Sequence, residues 1–125
     1  MENYHPSQTP SSEEWLELDE SIRIDLIRKS HEAAGIEFEE GAENMHSVIH
    51  VIVENQLALK VEPVPATLAK LTRQGLSRHE AIHAIGAVIS EDLFEIIKNK
   101  QEHNFKKYRR RLDKLTAKRW RKGKW

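Results

Sequence analysis

Apolar positions recur at helical intervals along most of the chain. Ser11 and Asp19 each carry a side chain that can cap the start of a helix. Ile24, Ile27 and His31 then lie on one helical face, which ends near residue 34. This part of the sequence therefore predicts a helix through about Ala34, with Ser11 and Asp19 as its two possible starts.

The segment NMHSVIHVIVENQLALK, residues 44–60, is harder to assign because its β-branched run is also typical of a strand. The preceding residues, 36–43, are rich in Glu and indicate a loop. Sustained apolar character, Asn44 as an N-cap and the ending NQLALK favour a helix. In a strand His46 and His50 would lie about 13 Å apart, whereas a helix brings their Cβ atoms to about 6 Å. Only the helix lets both residues bind one ion.

Pro63 and Pro65 interrupt the chain, and TLAKLTRQ then forms a short helix closed by Gly75. Ser77 begins a long helix that runs to about Lys98. Small residues on this helix would allow a neighbouring helix to come close. Its predicted buried stripe consists of Ile82, Ile85, Ile89, Leu93 and Ile97.

These elements predict an all-α protein, a small bundle of about four helices with a basic C-terminal extension. We divide the chain into a flexible leader, 1–10, a helical domain with paired histidines, 11–98, and a basic helical or flexible tail, 99–125. The chain has no cysteine, which excludes disulfides, iron–sulfur clusters and zinc fingers. No run approaches the roughly 18 apolar residues of a membrane span, so we expect a soluble cytoplasmic protein.

A net charge of zero conceals a division of charge between the tail and the rest of the chain. The segment 98–125 holds 13 of the 20 Lys and Arg residues and only two acids. Basic residues interleaved with aromatic ones suit nucleic acid, and an acidic protein surface or a second copy of the chain is an alternative partner. The candidate contacts are Lys106, Lys107, Arg109, Arg110, Arg111, Lys118, Arg119, Trp120 and Arg121.

Two pairs of histidines have the i, i+4 spacing that places both rings on one helical face. They are His46 with His50 and His79 with His83, in the similar segments HSVIHVI and HEAIHAI. Seven histidines placed at random would give about a third of one such pair. Each pair lies beside an apolar stripe, so packing the two faces together would bring four imidazoles into one place.

Four imidazoles satisfy tetrahedral zinc or supply much of an iron or manganese site, so the sequence predicts a divalent metal, with zinc favoured. Glu54 continues the first pair as H-x-x-x-H-x-x-x-E and is a further candidate ligand. His31 is a candidate fifth histidine, whereas His5 and His103 are expected to face solvent.

The letters H-E-x-x-H at residues 79–83 also match a zinc-hydrolase motif. In that interpretation Glu80 or Glu54 would act as a general base on metal-bound water. However, Ser77-x-x-Glu80 is also a capping box, which explains Glu80 without any chemistry. The motif begins in the first helical turn, and Ile89 stands where a metzincin needs its third histidine.

The segments MHSVIHVIVENQLAL and GLSRHEAIHAIGAVISEDLF resemble a family of small bacterial helical domains of unknown function. That family has an H-x-x-x-H…E-x-Q segment and, after a Pro-containing link, H-E-A-x-H. The resemblance covers about residues 13–97 and implies that the His and Glu residues act together, but it implies no activity.

Two hypotheses follow from the sequence. The first is a metal-binding protein with a polyhistidine site, catalytic or structural. The second is a metal-free interaction module whose basic tail binds nucleic acid or an acidic partner.

Overall fold

In a computed structural model of the chain, residue 1 and residues 3–36 and 42–124 are described; for residues 42 and 43 this covers the backbone alone. The predicted loop 36–43 lies mostly outside this part of the chain. The described residues form seven helices and no strand, which confirms the all-α class. The helices are α1 (Ser12–Glu17), α2 (Glu20–Ala33), α3 (Ala42–Ala58), α4 (Val64–Arg73), α5 (Arg78–Asn99), α6 (Phe105–Lys114) and α7 (Ala117–Arg121).

Helices α3 and α5 form the centre of the fold. Helix α3 packs against α1, α2, α4 and α5, and α5 packs also against α4 and α6. Gly86 permits a close approach between the two central helices, since a Cβ atom there would lie 3.0 Å from Cγ2 of Ile49. The expected small-residue contact is therefore present at Gly86, and it brings both histidine pairs to one interface.

Several predicted boundaries are reproduced and one is wrong. Helix α5 starts after Ser77, whose Oγ accepts a hydrogen bond from the amide of Glu80 at 3.1 Å. Asp19 is the N-cap residue of α2. Asn44 is not an N-cap, because α3 already begins at Ala42.

The predicted apolar stripe of α5 is confirmed in its first half and wrong at its end. Ile82, Ile85 and Ile89 are buried, but Ile97 is 75 % exposed. Helical spacing gives the side of a helix on which a residue lies, and burial also requires another element to cover that side. Phe94 in the same part of the helix is also 65 % exposed.

The number of helices exceeds the predicted four because α1 is separate from α2 and because residues after 99 fold into α6 and α7. Tyr108 and Leu112 of α6, together with Leu115 and Ala117, are buried in the same apolar cluster as α5. Asn104 and Thr116 cap these two helices with their side chains. The basic segment therefore contributes apolar side chains to the main core.

No helix within the described part of the chain combines the length and the apolar character needed to cross a bilayer.

Candidate metal centre

Five histidines from three helices converge between α2, α3 and α5. Helix α2 supplies His31, α3 supplies His46 and His50, and α5 supplies His79 and His83. One ring nitrogen from each of His31, His50, His79 and His83 lies within 4.8 Å of those of the other three. The i, i+4 spacing within α5 brings the ring centroids of His79 and His83 to 4.2 Å.

His46 lies at the edge of this group. Its Nε2 atom is 3.2 Å from Nε2 of His83, and its ring centroid is 4.8 Å from that of His31. Two nitrogen ligands of a tetrahedral zinc ion are separated by about 3.3 Å, given Zn–N bonds of about 2.0–2.1 Å. The structure thus places all four histidines of the two pairs at this site, and it places His31 inside the group of four.

Burial is the largest cause that lowers the pKa of these histidines from the ordinary 6.5, followed for four of them by repulsion from neighbouring rings. The pKa falls to about 4 for His31, about 3 for His83 and about 2 for His50. The pKa values of His46 and His79 are lowered as well. The rings are therefore neutral at pH 7, which is the form that binds a metal ion.

Two buried ring nitrogens of the cluster have no hydrogen-bond partner among the described residues, namely Nδ1 of His50 and Nε2 of His79. Buried polar atoms in folded proteins nearly always have such a partner, so each of these atoms needs an explanation. A metal ion between the rings would provide one, because it would take up both lone pairs.

A hydrogen-bonded network behind His50 determines which nitrogen of its ring faces the cluster. Tyr4 Oη lies 2.8 Å from Nε2 of His50 and donates its proton to Oε2 of Glu54. Since the hydroxyl has a single proton, the Nε2–H of His50 must donate to Tyr4 Oη. This tautomer leaves the lone pair on Nδ1, the atom that has no partner in the described residues.

Glu54 is held by Arg78 and does not belong to the group of four. The Arg78 guanidinium donates to both carboxylate oxygens of Glu54 at 2.8 Å, and Glu54 is 1 % exposed. Arg78 also donates to the carbonyl oxygen of Pro6 at 3.0 Å. Burial and the neighbouring Glu54 raise the pKa of Tyr4, so its hydroxyl keeps its proton. Glu54 therefore orients His50 through Tyr4.

Sequence reasoning missed Tyr4 and Arg78. Tyr4 falls in the segment expected to be a flexible leader, yet it is 6 % exposed and packs against Trp15 with ring centroids 5.5 Å apart. Arg78 had one available signal, its position directly before the second histidine pair at the first turn of a helix. No pattern in the sequence connects either residue to Glu54.

One of the two hydrogen bonds of the predicted capping box is present at Glu80. Its backbone amide donates to Ser77 Oγ, and its side chain is exposed at the first turn of α5. Glu80 is thus exposed and Glu54 is paired with Arg78, and a general-base role for either carboxylate stays a prediction. His5 and His103 are exposed, as expected.

The basic candidates of the C-terminal segment fall into two sets. Lys107 pairs with Glu95 at 2.7 Å, and Arg111 pairs with Glu95 at 2.6 Å and with the buried Asp92. Trp120 is half-buried and packs against the main core. The exposed candidates are Lys106, Arg109, Arg110, Lys118, Arg119 and Arg121.

No protein-family model, curated protein or solved structure matches the chain. The resemblance to a bacterial family of helical domains therefore stays a prediction.

Proposed function

We propose that this protein binds one divalent metal ion between α2, α3 and α5. The ligands are ring nitrogens of His31, His50, His79 and His83, with His46 as an additional or alternative ligand. The observation that carries the proposal is the convergence of four histidines whose ligand atoms lie within 4.8 Å of one another. A small contraction around an ion would bring them to Zn–N distances of about 2.0–2.1 Å.

The energetics of the apo cluster support the same proposal. Packing several imidazoles together inside a protein removes them from water, and two of their buried nitrogens gain no hydrogen bond from the described residues in return. A bound cation would reverse this deficit, because it would attract the lone pairs of the ring nitrogens that coordinate it. Metal binding would then contribute directly to the stability of the fold.

The donor set favours zinc, with iron and manganese as alternatives. Neutral imidazole suits zinc and iron, and the described ligand group contains no oxygen donor of the kind that manganese prefers. The network of Tyr4, Glu54 and Arg78 supports this assignment, because metal-binding histidines usually donate their second N–H to an acceptor that fixes the ring. Here His50 donates to Tyr4.

Elemental analysis of untagged protein tests the proposal. We expect about one metal ion per chain after zinc, iron and manganese are offered separately, with zinc bound most tightly. The variants His50→Ala and His83→Ala should lose most of the metal, while His103→Ala, a change of an exposed histidine, should keep it. Less than about 0.2 ion per chain with every metal would overturn the proposal.

A second candidate function is nucleic-acid binding by the exposed basic residues of α6 and α7. Of the nine cations in these two helices, Lys107 and Arg111 are paired with acids, and the other seven are exposed and accessible for phosphate contacts. Replacing Arg109 and Arg110 by Ser should weaken binding to a mixed-sequence oligonucleotide and reduce its salt dependence. Equal binding by the variant would remove this candidate.

A further inference from the structure

A cavity of about 490 Å³ opens directly onto the histidine cluster. It lies between α3 and α5 beside α7, and three of the five rings line it, those of His46, His50 and His83. Its volume falls in the range of about 300–1,000 Å³ that is typical of small-molecule sites. The cavity therefore gives a small organic molecule access to the cluster.

The walls away from the histidines are mainly apolar. Ile49 and Met45 of α3, Ala87 of α5 and the half-buried Trp120 of α7 line this part, and Ser90 is the additional polar residue. None of the described residues that line the cavity is acidic or basic apart from the histidines. An apolar body would therefore find favourable contacts here, and a cationic group would find no partner.

The charge of the metal site determines which chemical group of a bound molecule would face the histidines. Because the imidazoles are neutral, a divalent ion held by them keeps its full positive charge, and the nearest carboxylate of the network, Glu54, is already paired with Arg78. Four imidazoles fill a tetrahedral zinc site, so an anion from the cavity would bind as a fifth ligand, in the five-coordinate geometry to which zinc sites can expand.

We propose that this cavity binds an organic monoanion of the carboxylate type, whose charged group coordinates the metal and whose apolar body lies against Ile49, Ala87 and Trp120. The inference depends on the proposed metal site and names the class of molecule that this site accepts. It also gives the basic C-terminal segment a role at the site, since Trp120 of that segment forms one wall of the cavity.

A second cavity provides the comparison that the test needs. It has a volume of about 500 Å³ and lies on another side of the cluster, between the N-terminal segment and the end of α2. It touches the cluster only at His79, and Lys29 and Ser30 make its wall more polar. Ala33 lines this second cavity, and Ala87 lines the first.

The experiment uses the full chain loaded with cobalt(II), whose visible spectrum reports a new ligand on the metal. Benzohydroxamate and acetohydroxamate carry the same anionic metal-binding group and differ in a phenyl ring against a methyl group. We expect benzohydroxamate to bind about tenfold or more tightly, because its ring leaves water for the apolar wall. Cobalt content is measured on the same samples by elemental analysis.

Two matched variants locate the binding site of the ring. Ala87→Phe places a phenyl ring in the first cavity and should abolish the preference for benzohydroxamate while the cobalt content stays at that of the original chain. Ala33→Phe makes the same change in the second cavity and should leave the preference intact. If Ala87→Phe loses its fold, as judged by circular dichroism, Ser90→Phe blocks the same cavity from an exposed position.

The outcomes separate the two proposals. A chain that takes up no cobalt contradicts the metal site and the ligand site together. A chain with a full complement of cobalt that binds both hydroxamates equally, or that loses its preference in Ala33→Phe instead, contradicts only the cavity assignment.

Discussion

Replacing Tyr4 by Phe removes a single hydroxyl group from the network behind His50. The aromatic ring of residue 4 can stay in place against Trp15, since the phenol oxygen makes no part of that contact. The change therefore affects two hydrogen bonds, one from Nε2 of His50 and one to Glu54. Glu54 retains both bonds from Arg78, whereas the Nε2–H of His50 loses its acceptor.

The magnitude follows from the burial of His50, which is 2 % exposed, so bulk water does not replace the lost oxygen. A buried donor left without a partner costs about 1–3 kcal/mol in the free energy of unfolding. Loss of a residue that orients a metal-binding histidine typically lowers metal affinity about 10–100-fold. We expect both effects in Tyr4→Phe, measured by urea unfolding of the metal-free protein and by competition with a chromophoric zinc chelator.

Tyr108→Phe is the matched control. Tyr108 is 1 % exposed, and its hydroxyl donates to Gln56 at 2.8 Å, so its loss also removes one buried hydrogen bond. It should reduce stability by a similar amount and leave zinc affinity unchanged. If Tyr4→Phe binds zinc as tightly as the original chain while Tyr108→Phe shows the expected loss of stability, the assignment of Nδ1 of His50 as a ligand is refuted.

Three further predictions concern pH, helix packing and the helix cap. Folding lowers the pKa of the clustered histidines below 6.5. At a pH between the lowered pKa values and 6.5, the unfolded chain therefore binds more protons than the folded one. The metal-free protein should lose stability as the pH falls from about 7.5 to 5.5. A urea midpoint that does not change over this range would contradict the burial of neutral rings. Gly86→Val should reduce the free energy of unfolding by about 1–3 kcal/mol through a clash with Ile49, whereas Ala87→Val, beside the cavity, should reduce it less. Equal losses measured by urea unfolding would contradict the close packing of α3 and α5 at Gly86. Ser77→Ala should reduce the free energy of unfolding by about 1 kcal/mol, because it removes the N-cap of α5. Glu80→Gln, a change of an exposed side chain, should alter neither the melting temperature nor the metal content. Loss of metal from Glu80→Gln would mean that this carboxylate acts at the site.

Helix positions could be predicted where the periodic pattern was long. The segment after residue 44 was ambiguous by β-branched content, but its length favoured the helix that α3 forms. Ile97 shows where the same reasoning fails, because the helical spacing does not state which sides of α5 another element covers. The packing of Tyr108 and Leu112 into the main core was equally hidden, since basic residues surround both.

The candidate site also has a part that the sequence predicts and a part that only the folded structure reveals. The i, i+4 spacing fixes the relation of His79 to His83 within one helix, so that part could be predicted from the sequence. Whether His31 joins them depends on how α2 packs against α3, which local spacing does not specify. Tyr4 lies 46 residues from His50 in the chain, and only the folded structure reveals their hydrogen bond.

The most direct test of the central claim is an anomalous difference map from crystals of the zinc-loaded protein, measured above and below the zinc absorption edge. We predict one strong peak about 2.0–2.2 Å from ring nitrogens of His50, His79 and His83, with His31 or His46 completing the set. A map with no peak among these rings, or with zinc only at exposed histidines such as His5 and His103, would contradict it.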